Sequence, residues 1–122
     1  MQKLFELIQK DPAFKHIIAT FAAEKQQTLI YGLSGSQKAF AIALAFQQAP
    51  RPTVVITANR ETLQQLQNDF LTILPGTPVW EFVPGDIITF TTAASSIELT
   101  AKRLDVLSRM AKGYPAVFLV TA

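Results

Sequence analysis

Cysteine is missing from this chain altogether, and histidine and tryptophan occur once each. Without thiols there is no disulfide framework and no thiolate chemistry, and the composition suits a reducing cytoplasm. No apolar run reaches the roughly 18 residues that span a bilayer, and Glu6 interrupts the only stretch that could serve as a leader. A cytoplasmic protein without a membrane partner is therefore expected. Charged residues make up only 16% of the 122 positions, and the net charge is +2. The calculated pI near 9.1 comes from few titrating groups, so it argues only weakly for nucleic acid. No Asp-Glu pair follows an apolar run, since Glu81 and Asp86 stand apart. The lone His16 sits between Lys15 and Ile17 with no ligand cluster around it, which makes it a surface histidine.

What is present is apolar residues, 49% of the chain, enough for the core of one domain. Leu4, Leu7 and Ile8 set out one face of an opening helix. Asp11-Pro12 starts a second helix, with Asp11 as cap, Pro12 in the first turn, and Phe14, Ile17, Ile18 and Phe21 as its buried stripe. Thr28 to Tyr31 reads as a first strand and Lys38 to Gln48 as an apolar helix. Thr53 to Thr57, unbroken and β-branched, has the pattern of a buried parallel strand. Asn59 caps a helix that carries Leu63, Leu66, Phe70, Ile73 and Leu74 on one side, and Pro75-Gly76 ends it. Val79 to Val83 is a third strand, in which Trp80 reads as packing rather than as a base-stacking platform. A threonine-rich loop from Pro84 to Ala94 leads to a capping box with Ser95 as cap and Glu98 reaching back. The helix beyond it is expected to bury Leu99, Leu104, Leu107 and Met110 or Ala111. Its other face shows Lys102, Arg103, Arg109 and Lys112, a solvated surface or a phosphate-facing one. Gly113 closes it, and Ala116 to Val120 is a fourth strand.

Strands alternating with helices predict an α/β domain, a three-layer arrangement of the P-loop NTPase and helicase kind with a mostly parallel sheet, truncated after the fourth strand. Residues 1–26 form N-terminal helices and 27–122 the α/β subdomain. A sheet that stops on a buried strand reads as part of a longer protein.

The segment most informative for function is Gly32-Leu33-Ser34-Gly35-Ser36-Gln37-Lys38-Ala39. Set against G-x-x-x-x-G-K-[ST], it keeps Gly32 and Lys38, with Gln37 in place of the second glycine and Ala39 in place of the hydroxyl residue. In a working loop, backbone N–H groups hold the phosphates and the hydroxyl ligates magnesium. Ala39 can ligate nothing, and a side chain at Gln37 stands where close approach or a positive φ is needed. Gly32, Gly35, Ser36 and Lys38 remain as a degenerate phosphate loop. No catalytic residue and no metal ligand is evident, and no cofactor is expected. The contrasting expectation is a nucleotide-binding ATPase or helicase fragment whose metal ligands lie elsewhere.

That loop, with Val54-Val55-Ile56-Thr57-Ala58-Asn59, Phe82-Val83-Pro84-Gly85-Asp86, Ser96-Ile97-Glu98 and Arg103-Leu104-Asp105-Val106-Leu107, resembles the N-terminal domain of the bacterial transcription-repair coupling factors, the Mfd family. The likeness runs from Thr28 to Ala122. It implies a module shaped like the first domain of UvrB that has lost its motor residues, Gln37-Lys38-Ala39 standing where an active relative has G-K-T. It further implies that Mg-ATP turnover and DNA translocation belong to other domains of a parent chain. Such a module helps recruit UvrA and restrain the parent, which also meets RNA polymerase and DNA in transcription-coupled nucleotide excision repair.

Overall fold

A computed structural model describes residues 2–83 and 93–122. Eight elements follow in chain order: α1 (Gln2–Ile8), α2 (Pro12–Ala22), α3 (Gln37–Gln48), β1 (Thr53–Thr57), α4 (Arg60–Ile73), β2 (Val79–Phe82), α5 (Ala93–Ala111) and β3 (Val117–Thr121). The three strands form one sheet in the order β1-β3-β2, and both pairings are parallel. Helices lie on both faces, so the expected three-layer α/β arrangement is present.

Local signals place the helix starts. The Asp11 carboxylate accepts the Ala13 N–H at 2.8 Å, and the Asn59 side-chain oxygen accepts that of Thr62 at 2.8 Å. Gly76 and Gly113 take positive φ after α4 and α5, where the chain must leave the helix in a left-handed conformation.

One sheet face carries Val55, Val79, Val117 and Leu119 against α3 and α4, which contribute Ala39, Ala43, Leu44, Leu63, Leu66, Phe70 and Ile73. Fully burying each large side chain contributes about 1.5–3 kcal/mol, and Phe70, Leu44 and Leu63 are among the most enclosed. The N-terminal helices close this core from the side. Phe5 is buried and meets Phe40 edge-to-face at 5.8 Å, with Ile8, Phe14 and Ile18 packed alongside. Arg51 fastens α2 from the α3–β1 connection, donating to the Phe21 carbonyl and lying over the Phe21 ring at 4.8 Å. The opposite sheet face packs Trp80, Phe82, Ala116 and Phe118 against Val106 and Met110 of α5.

Several expectations are corrected. Thr28 to Tyr31 is no strand, so the sheet has three strands and β3 is its third. Strand formation needs a partner edge. Residues 28–31 pair with no strand among the described residues and instead border a cavity beside α2 and α3. β1 is an edge strand, with Val54 51% and Ile56 69% exposed, because none of the described residues covers its outer part on the α5 side. In α1 the inward residues are Phe5 and Ile8, while Leu4 and Leu7 are exposed, the aromatic ring having taken the inward place. No α2 residue is fully buried, since Ile17 and Phe21 border an open cavity.

In α5 the seam is Val106 and Met110, and Leu104 and Leu107 are 61% and 46% exposed. The helix begins at Ala93, two residues before the expected cap, so Ser95 lies inside it. Two alanines, the best helix formers, extend the helix at little cost. Glu98 pairs forward with Lys102 at 3.1 Å. The threonine-rich loop through residue 92 lies outside the described residues.

Candidate functional site

The glycine loop joins the extended segment 28–31 to α3. Gly32 (φ +84°) and Gly35 (φ +49°) supply its two left-handed positions. A Cβ at either would meet nothing within 4 Å, so the demand is conformational rather than steric. Gln37 does not carry that demand, contrary to expectation, because it is already the first residue of α3.

The Gln37 side chain instead folds back over the loop. Its Oε1 accepts the Ser34 N–H at 3.0 Å and lies 3.5 Å from the Ser34 hydroxyl. The Gln37 N–H donates to the Ser34 carbonyl at 3.1 Å and the Lys38 N–H to the Gly35 carbonyl at 3.3 Å. A phosphate cradle needs such N–H groups free and converging on the anion. Here a neutral amide oxygen from the loop's own helix takes one of them, and neighbouring carbonyls take two more. Ser36 stands at the cap position of α3 without a side-chain hydrogen bond to the helix.

Ala39, where a magnesium-ligating hydroxyl would be needed, has 0% exposure and packs in the main core. Its side chain faces away from any ligand in the loop. Lys38 is exposed, and its side chain makes no hydrogen bond or ion pair among the described residues. It borders two concavities. One, of about 620 Å³, lies between α2, residues 26–33 and α3. The other, of about 560 Å³, runs from Gly35 and Ser36 to the polar side of α4 at Thr62, Gln65, Asn68 and Asp69. The four candidate residues thus share one loop, but three of its N–H donors, those of Ser34, Gln37 and Lys38, are engaged within it and only Lys38 presents a charge.

Asp69 of α4 lines the second concavity together with Lys38, and among the described residues no other acid lines either concavity. Glu81 pairs with Arg60 at 3.7 Å, and Asp86 lies outside the described residues. No group of three His, Cys, Asp or Glu residues that could hold a metal occurs among the described residues, and His16 is exposed. The basic residues of α5 are mostly engaged within the chain. Lys102 pairs with Glu98, and Arg109 pairs with Asp105 at 3.0 Å while its guanidinium lies 4.2 Å over the Trp80 ring. Arg103 lies 5.2 Å over the Phe82 ring. Side chains held this way make a poor phosphate-reading surface.

The Gln37 closure was missed in the sequence, although a signal existed. Ser34-Gly35-Ser36-Gln37 is an S-x-x-Q string, the pattern in which a glutamine reaches back to the serine's backbone N–H. Reading that glutamine only as a lost glycine hid its positive role.

Fold and loop together define a three-layer α/β domain with a glycine loop that leads into α3 and is closed on itself by Gln37. Sequence comparison narrows the class. The chain is 28% identical over 113 residues to the transcription-repair-coupling factor of Bacillus subtilis (strain 168), covering 93% of this chain and 10% of that protein. It is 28% identical over 120 residues to the transcription-repair-coupling factor of Staphylococcus aureus (strain USA300), covering 98% of this chain and 10% of that protein. The family these comparisons return is the one the motifs resemble, and the likeness runs along nearly the whole chain. The chain spans about a tenth of the length of these relatives. No family model matches it, and no solved structure does. No helix among the described residues is long and apolar enough to cross a membrane.

Proposed function

We propose that this chain is a non-catalytic, UvrB-like N-terminal module of a transcription-repair coupling factor acting in transcription-coupled nucleotide excision repair. The observation that carries the non-catalytic part is the Gln37 Oε1 contact to the Ser34 N–H, which fills the loop from inside. Burial of Ala39 in the core supports it, since the position of the metal ligand is given over to packing. Likeness to the transcription-repair-coupling factors supports the assignment to repair. In the parent, ATP-driven translocation on DNA and contact with RNA polymerase belong to other domains. This module supports UvrA recruitment and restrains the motor through its packing against them.

Calorimetric titration of the chain with Mg-ATP and Mg-ADP, with Lys38→Ala alongside, tests the loop. No binding is expected up to about 1 mM, the limit at which association is worth only about 4 kcal/mol. Micromolar binding that disappears in Lys38→Ala would overturn the reading and favour a nucleotide-responsive domain. Gln37→Gly with Ala39→Thr is expected to show no ATP turnover, because no general base or second metal ligand is brought to the loop.

A further inference from the structure

We propose that the 620 Å³ cavity between α2, residues 26–33 and α3 is a binding site for a small apolar molecule with a single anionic group, of the medium-chain carboxylate kind. Its volume falls in the range of about 300–1,000 Å³ typical of small-molecule sites. Ile17 and Phe21 of α2, Ile30 and Leu33 of the extended segment and Ile42 of α3 wall it with hydrocarbon. These side chains are left partly uncovered here, which gives an apolar ligand surface to remove from water.

Lys38 is the one charged side chain among the lining residues, and no acid lines the cavity. Its ammonium group has no partner among the described residues, so its charge is available, while its methylene stem can lie along the apolar wall. Three neighbouring N–H donors, those of Ser34, Gln37 and Lys38, are already engaged by the Gln37 side chain and by loop carbonyls. One point charge without converging N–H groups suits a monoanion better than a polyphosphate. The site is therefore distinct in chemistry from the loop beside it, and the proposal does not depend on the repair assignment.

The test is calorimetric titration of the purified chain with decanoate and, separately, 1-decanol. Decanoate is expected to bind at least about tenfold more tightly, the ~1.4 kcal/mol of a single favourable charge contact. Lys38→Gln is expected to erase that difference while leaving decanol affinity unchanged. Thr28→Phe, on an exposed lining residue whose enlargement crowds the cavity without touching the core, is expected to weaken both ligands. Absence of saturable decanoate binding below about 1 mM, decanoate affinity unmoved by Lys38→Gln, or indifference of both ligands to Thr28→Phe would each overturn the proposal. Mg-ATP titrated into the same samples separates the outcomes. Nucleotide binding would count against the non-catalytic loop and leave the carboxylate result to be judged on its own.

Discussion

The two faces of the sheet are closed by different physics. Toward α3 and α4, Val117 and Leu119 meet a continuous layer of Ala39, Leu44, Leu63, Phe70 and Ile73, with no charged member. Toward α5, the buried residues among those described are Val106, Ala116 and Phe118, and arginine guanidinium groups lie over the Trp80 and Phe82 rings. Val54, in register with Phe118, and Ile56, in register with Val120, point to the α5 side and stay exposed. One sheet thus has a dry face that can supply most of the stabilisation and a second, half-covered face. On that face cation–π contacts substitute for aliphatic packing, each worth about 0.5–1 kcal/mol where exposed.

The comparison can be broken at several points. Phe70→Ala, in the dry core, is expected to cost about 3–5 kcal/mol, read as a fall in the urea midpoint at unchanged slope. A loss below 1 kcal/mol would show that the α3/α4 face does not dominate. Ala39→Thr, which restores the hydroxyl of a working phosphate loop, is expected to cost about 1–3 kcal/mol, because a polar atom enters a filled core. Thermal melts with and without Mg-ATP check it, and a stabilised, ligand-responsive variant would contradict the described packing. Arg109→Ala is expected to cost only about 0.5–1 kcal/mol, with a small change in Trp80 fluorescence. A cost rivalling that of Phe70→Ala would erase the distinction between the faces.

What was legible in the sequence was local. Asp11 and Asn59 announce their helices because a cap is satisfied within three residues. The α4 stripe was legible because Leu63, Leu66, Phe70 and Ile73 repeat at helical spacing and face a flat sheet. The illegible parts depend on partners far along the chain. Thr28 to Tyr31 has the composition of a strand but pairs with no strand among the described residues. Leu104 and Leu107 have the spacing of a buried stripe, yet Val106 takes the inward place while the guanidinium of Arg103 covers the Phe82 ring. A pattern that counts every arginine as solvent-facing cannot find such a seam. At the loop, Ala39 and Gln37 were legible as departures from the phosphate-loop motif, but the hydrogen bond that Gln37 makes was not.

That hydrogen bond has a consequence for signalling. A phosphate loop is ordered by what it binds, so its conformation reports whether ligand is present, and neighbouring domains can respond to the report. A loop ordered by its own glutamine has a single resting arrangement and no such message to send. Any domain packed against this one would have to take its timing from elsewhere, with residues 32–37 acting as a fixed corner rather than a switch.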